Sequence, residues 1–477
     1  MKKYCLPFLF TVYFLLPIAV FSQQWHSIPN PNVPIMYGQT GVFGTEVDAL
    51  KVINGELYVG GGLAFDSSQA SNCIIKFNVN TVSWDSLQCG VYGVVSAIEE
   101  YNGEIYAGGY FSFASSCNPF PNYYIPNTNK LAKWNGMQWL SVDSNFSNNV
   151  NSDIWTLKYK NDLYIGGTFA FFPVSNGIAK CIVRYNGSTV DNMQGGVDGF
   201  PLSVRCMAVY KGDLYVAGEF LQAGGVMGYN NIARWDGSNW QMLGTGLNGG
   251  VNAMAVDTVN NLLYVGGGFT QAGTVSTIYF ATWDGNNWSS LYAPSYNFAL
   301  APNAMKFFDG KLFAGAFSNT GSPMDTTLIY WDGNKWTLVP GPNNGVTALE
   351  VYNGNLYAGG YFNKIDTTTV NCIACYGDSC PGTPITLTLP YGVNEYGAQG
   401  LKFKVFPNPA KNNITIETAE NKNFIARITN PLGQKVAEKK FQKRIEVDVS
   451  AFGKGLFLVE VCDENGVNCH TEKVILE

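Results

Sequence analysis

Apolar residues in this chain fall in short alternating runs, and each run stops at a turn signal. The stretch Tyr352–Phe362, YNGNLYAGGYF, holds the pattern in its tightest form. One strand ends, an Asn-Gly turn follows, and a second strand runs out into a glycine pair. The phrase recurs, with its central aromatic at Tyr58, Tyr106, Tyr164, Tyr215, Tyr264, Phe313 and Tyr357, at intervals of 48, 58, 51, 49, 49 and 44 residues. Around each copy the alternation predicts four strands. In the fourth copy they are Val204–Tyr210, Leu214–Gly218, Ile232–Trp235 and a strand opening at Trp240.

The turns between these strands carry their own chemistry. Asn54-Gly55, Asn102-Gly103, Lys211-Gly212, Asp309-Gly310 and Asn353-Gly354 suit two-residue hairpins, because both positions tolerate positive φ. In the third copy Asn161 takes the glycine's place. Pairs such as Gly60-Gly61 and Gly359-Gly360 predict a bulge or a close backbone approach at the end of the second strand. Before each turn stands a small residue: Ala49, Ala97, Cys206, Ala253, Ala304 and Ala348. Inner strands crowding towards a common axis need one. Asp236-Gly237-Ser238-Asn239 and its equivalents after Trp134, Trp283 and Trp331 read as turns framed by paired tryptophans. A calcium site would need six or more oxygen ligands, and one carboxylate per turn falls short.

A period near 50 residues with four strands each predicts a β-propeller, and seven copies predict seven blades. The last copy lacks its Trp-led fourth strand. Trp25-His26-Ser27-Ile28 resembles that missing piece, so an N-terminal strand is expected to close the last blade. Loops that vary in length on a repeated scaffold collect on one face, often the binding face, and the longest is Ser112–Asn129.

Composition fits many short strands: 46% hydrophobic, 14% aromatic and only 13% charged. The net charge of −6 offers no basic surplus for nucleic acid. Residues 23–400 hold 15 Lys+Arg against 25 Asp+Glu, whereas residues 401–477 hold 12 against 10. That shift supports a domain boundary near 400. Lys2 and Lys3 followed by the apolar run Tyr4–Phe21 read as a signal peptide over residues 1–22, cleaved between Ser22 and Gln23. The mature chain is expected to have no transmembrane helix.

Export permits disulfides. Cys73 with Cys89, and Cys462 with Cys469, flank predicted hairpin turns and are the candidate pairs. Cys375 and Cys380 straddle a similar turn, and a zinc site there lacks a clear fourth ligand. The pairing of Cys117, Cys181, Cys206, Cys372, Cys375 and Cys380 stays open, with Cys206 read as buried packing.

The apolar strand ending in a glycine pair, with a later tryptophan, resembles kelch-type propellers and their secreted bacterial relatives over residues 23–380. The tryptophan spacing departs from the eukaryotic pattern, so kelch partners do not carry over. Residues 381–400, with Pro381, Pro384 and Pro390, read as a linker holding one strand, Ile385–Leu389. Residues 401–477 form a predicted small Ig-like β-sandwich. Its VFPNPA opening with Pro407, Asn408 and Pro409, NPLGQKV with Gly433, VDVSAFGKGLFLVEV with Gly453 and Gly455, and the terminal EKVILE resemble the type A C-terminal sorting domain of type IX secretion cargo. The resemblance implies passage through the periplasm and then release or attachment at the outer-membrane surface of a Gram-negative bacterium. It also implies type IX machinery as the partner of residues 401–477.

Two histidines, His26 and His470, exclude a metal centre or triad built on several histidines in the propeller. No cofactor is expected. The carboxylates outside repeated turns are Asp66, Glu99, Glu100, Glu219 and Asp366. A pair of them could serve a polysaccharide hydrolase or lyase, but nothing in the sequence brings two together. The preferred reading is a non-catalytic module that binds glycan or protein. The alternatives are that polysaccharide-cleaving enzyme and a structural subunit of a surface apparatus.

Overall fold

The computed structural model describes residues 23–28, 46–63, 73–116, 123–142, 153–169, 172–174, 176–291, 301–317, 327–385, 403–418, 421–430, 435–463 and 469–476. The chain separates into two compact units, Met1–Thr388 and Leu389–Glu477.

In the first unit each copy of the repeat folds into one antiparallel sheet, giving seven. Sheet 4 is representative: Ser203–Tyr210, Asp213–Glu219, Ile232–Trp235 and Trp240–Gln241, hydrogen-bonded in chain order. The hairpin turns between first and second strands take the expected conformation, for example Asn353 at φ 48° and Gly354 at φ 73°. The repeated aromatics from Tyr58 to Tyr357 are all buried. The Asp-Gly turns are built by their carboxylates: Asp236 Oδ1 accepts from the N–H groups of Ser238 and Asn239, both at 2.8 Å. Asn135 does the same in sheet 2 with a neutral amide, so the position calls for an acceptor rather than a charge.

In all seven sheets the first strand carries a β-bulge; it faces a glycine pair in five, as between Val47 and Ala49, and Ala217-Gly218 or Gly315-Ala316 in sheets 4 and 6. The glycines explain both the bulge and the joining of sheets. A Cβ on Gly61 would lie 2.0 Å from the Glu46 carbonyl oxygen across the pair. A Cβ on Gly60 would lie 2.7 Å from Val95 of sheet 2. On Gly359, in sheet 7, it would lie 2.4 Å from Val47 of sheet 1. The glycines therefore let successive sheets approach side by side. The first strands lie against one another in chain order, and that of sheet 7 lies against that of sheet 1.

Sheet 7 is completed from the front of the chain. Gln24–Ser27 pairs antiparallel with Ile373–Gly377, placing Trp25 opposite Tyr376. Trp25 is buried, and its Nε1–H donates to the Pro340 carbonyl at the end of sheet 6. Trp139, Trp240 and Trp288 make the same bond to Leu87, Met193 and Leu243, each on the preceding sheet. These fourth-strand tryptophans are thus staples between sheets.

Several expectations change. Among the described residues, two of the segments expected to be loops contain hairpins. Gln222–Ala223 with Val226–Met227, and Gln271–Ala272 with Val275–Ser276, are small hairpins. Ser112–Asn129 is no plain loop either: its second strand runs on to Ser116 and pairs with Tyr123–Ile125. The strand expected at Ile385–Leu389 falls, after Ile385, outside the described residues, and a short strand at Thr383–Pro384 lies beside Gln24–Ser27. Proline is tolerated there because that edge needs no donor.

The Cys73–Cys89 bridge is not formed. Cys73 keeps its thiol, which donates to the Gly93 carbonyl, while Cys89 is disulfide-bonded elsewhere. Flanking a strand–turn–strand does not by itself aim two Cβ atoms at each other. Cys375 and Cys380 do form a disulfide. Cys462 is disulfide-bonded, and Cys469 is its cross-strand register partner.

The second unit packs two sheets on one core. Phe403–Phe406, Asn413–Thr418 and Arg444–Asp448 form one sheet, and Lys435–Gln442, Asn423–Thr429, Gly455–Asp463 and Cys469–Leu476 form the other. Ile414, Ile416 and Val447 meet Phe424, Phe457 and Val459 between them. The strand Lys435–Gln442 has no apolar alternation in the sequence because it is an edge, mostly exposed and rich in lysine.

Candidate functional site

The bulge releases one residue per sheet from the hydrogen-bond ladder. These residues are Asp48, Ser96, Trp155, Arg205, Asn252, Asn303 and Thr347. Four of them reach each other from sheet to sheet. The Arg205 guanidinium lies 5.4 Å from the Trp155 ring and donates to Asn252 Oδ1 at 2.8 Å; Asn252 donates in turn to Asn303 at 3.3 Å. Thr347 Oγ1–H donates to the Val47 carbonyl, joining sheets 7 and 1. This polar circuit marks a mouth at the glycine-pair end, where the connections between strands also gather.

Around it stand aromatics that the core has not absorbed. Tyr110, Phe317 and Tyr361 each follow a glycine pair or its equivalent, and with Trp155 they are 37–55% exposed. Phe317 and Tyr361 contact each other at 5.0 Å. Lys130 sits 3.7 Å over the Tyr110 ring and pairs with Asp153 at 3.3 Å. Beyond Tyr110 the long hairpin of sheet 2 carries a further ladder: Tyr92 stacks on Phe113 at 5.3 Å and 3°, and Phe113 meets Tyr124 edge-on at 5.4 Å. Tyr92 and Tyr124 are also exposed.

Two carboxyls flank the same rim. Burial pushes Glu46 up to about 7, with Asp48 adding to it, and burial pushes Asp48 up to about 6. Burial raises the Tyr361 hydroxyl too, with Asp48 and Glu46 contributing. In the unfolded chain such carboxyls titrate near ~4. The native state therefore binds the protons more tightly. That stability is fully present below about 4 and is lost as pH rises through 6 to 7. Glu46→Gln cannot ionise. It is expected to melt above wild type at pH 8 and level with it at pH 4. An equal difference at both pH values, followed by thermal unfolding, would rule out desolvation as the cause.

Deeper, the residue opposite each repeated aromatic is Lys51, Glu99, Lys158, Ala208, Ala255, Lys306 or Glu350 in chain order. Lys51 pairs with Glu99 at 2.6 Å, and Lys306 with Glu350 at 2.5 Å.

Among the described residues, the carboxylates singled out from sequence do not assemble. Glu99 is the partner of Lys51, Glu219 binds Arg205 at 3.0 Å, and Glu100 accepts from the turn N–H of Gly103 at 2.7 Å. Asp366 lies in a hairpin turn at φ 52°, and Asp66 lies outside the described residues. Glu46, Asp48, Trp155 and Lys158 escaped notice. Their signal was available only by aligning the seven copies at the bulge. Among the described residues, no group of three or more His, Cys, Asp or Glu is placed to hold a metal. No helix there is long and apolar enough to cross a membrane.

In the second unit, Asn408 Oδ1 accepts from the Ile475 N–H at 2.9 Å, and the Ala410 N–H donates to the Ile475 carbonyl at 2.8 Å. The PNPA and EKVILE motifs are thus one structural feature. Gly453 and Gly455 take positive φ, at 81° and 135°. Gly433 and Ser22 lie outside the described residues, while Gln23 donates to Asp309 at 3.1 Å.

No curated protein matches the chain. Among solved structures, one similar chain is described as PorZ, an essential bacterial surface component of the type-IX secretion system of Porphyromonas gingivalis. It is 13% identical with a TM-score of 0.41, over 92% of this chain and 61% of that one, so this chain spans less than two thirds of it. Residues 404–477 match the family model of the secretion system C-terminal sorting domain, and the chain that carries this tail is an exported cargo.

Proposed function

We propose that the first unit is a seven-bladed, kelch-like β-propeller that binds glycan at its mouth without catalysis. In this reading type IX machinery, engaging residues 401–477, delivers it through the periplasm to the cell surface or the medium. The observation that carries the binding reading is the rim of half-exposed Tyr110, Trp155, Phe317 and Tyr361 interleaved with Arg205, Asn252 and Asn303. Flat apolar faces beside fixed hydrogen-bonding groups suit the two kinds of surface on a sugar ring. Core aromatics of the repeat are buried, so exposure at these positions is not a by-product of packing.

Glycan-array binding by the purified chain tests the proposal. Trp155→Ala is expected to weaken binding of the selected glycan about tenfold, or ~1.4 kcal/mol, with the melting temperature little changed. Unchanged affinity in both Trp155→Ala and Tyr361→Ala would remove the rim as the binding surface.

Glu46 and Asp48 favour a second reading, a polysaccharide hydrolase, since such enzymes place two carboxyls about the scissile bond and raise one towards neutrality. Release of reducing ends from a polysaccharide panel, abolished by Glu46→Gln, would select it over the binding module.

A further inference from the structure

The ring of register-equivalent positions below the mouth has an unbalanced charge. Lys51 and Glu99 neutralise each other across sheets 1 and 2, as do Lys306 and Glu350 across sheets 6 and 7. Lys158 of sheet 3 has no ion pair among the described residues; it stands at the same register level as Lys51, Glu99, Lys306 and Glu350 and feels the charge of all four. Sheets 4 and 5 put only Ala208 and Ala255, small and uncharged, at this register level.

We infer that the channel below the mouth is a carboxylate-binding site centred on Lys158, with Ala208 and Ala255 leaving the room for the ligand. Three lysines against two glutamates leave one positive charge, which a monoanion balances. A carboxylate carries that charge, whereas a phosphate carries closer to two at neutral pH. An uncompensated ammonium inside protein is costly, and Lys158 shows it: desolvation and then Lys51 hold its ammonium below the ordinary lysine range. The side chain is only partly covered, so a solute can reach it. Lys158 lies three residues along its strand from Trp155, roughly 10 Å at strand rise, so a sugar acid seated on the rim could pass its carboxylate down the channel.

The source of the carboxylate, a sugar acid or a free small acid, rests on the glycan reading; the site itself does not. Calorimetric titration of the full mature chain with glucuronate, glucose and acetate separates them. Glucuronate is expected to bind roughly tenfold tighter than glucose, a preference of ~1.4 kcal/mol. Lys158→Met is expected to erase it and Lys158→Arg to keep it. Lys158-dependent binding of acetate at the same strength as glucuronate would support the site and assign it to free acids. The inference is overturned if neither acid binds better than glucose, or if Lys158→Met, folded by its melting curve, keeps the preference. Failure of the rim reading is separate: there Trp155→Ala leaves glucuronate affinity untouched while Lys158→Met still removes it.

Discussion

Trp25→Ala is expected to destabilise the first unit by about 3–5 kcal/mol, the range for deleting a fully buried tryptophan. Three losses coincide at this position. The indole is 1% exposed and packs on Tyr376 at 5.2 Å. Its Nε1–H holds the Pro340 carbonyl of sheet 6, which would be left unpaired. Its strand is the fourth of sheet 7, and both the Thr383–Pro384 strand and the Ile385 N–H dock upon it. Gly341 is shaped to the same indole, since a Cβ there would lie 2.4 Å from Nε1. Denaturant unfolding followed by intrinsic fluorescence should show the midpoint fall. A comparison with Met137→Ala, at an exposed turn, controls for substitution as such. A loss below about 1 kcal/mol would mean that the N-terminal strand contributes little to closing sheet 7.

The sequence disclosed what packing repeats. The buried aromatic, the hairpin turn, the glycine pair and the Trp-led fourth strand recur because each sheet solves the same contact with its neighbour. For the same reason the front strand could be matched to the gap in the last copy. The mouth was hidden because it consists of what does not recur. At the bulge the seven copies offer aspartate, serine, tryptophan, arginine, two asparagines and threonine, a column with no consensus. The extra residue also shifts the alternation, so Trp155 reads as one more strand aromatic until the register is known. Lys51, Glu99, Lys158, Lys306 and Glu350 look like ordinary strand charges in isolation. Only closure of the sheets on one another brings residues of sheets 1, 2, 3, 6 and 7 together. The misplaced Cys73–Cys89 bridge has a related cause. Sequence spacing gives proximity along a hairpin, not the direction of a Cβ. Cys462 and Cys469 differ in being direct register partners.

Deleting residues 401–477 is expected to reduce the extracellular and surface-exposed protein to background while the first unit accumulates, folded, in the periplasm. The expectation rests on separation of cores. Phe403, Ile414, Phe424, Phe457, Val474 and their neighbours form one cluster drawn wholly from the second unit. The cluster around Trp25, Phe313, Leu356 and Phe362 is drawn wholly from the first. Each of these cores is closed within its own unit, so truncation is expected to act on addressing rather than on stability. Fractionation with immunoblotting, together with the melting curve of the periplasmic product, reads both halves of the claim. A finer version targets the contact between the two sorting motifs. Asn408→Ala removes the acceptor of the Ile475 N–H and should lower export while sparing the first unit, because that bond ties the PNPA turn to the last strand. Truncated protein in the medium at wild-type levels would mean that the tail does not direct export. Periplasmic protein that no longer melts cooperatively would mean that the tail supports the fold.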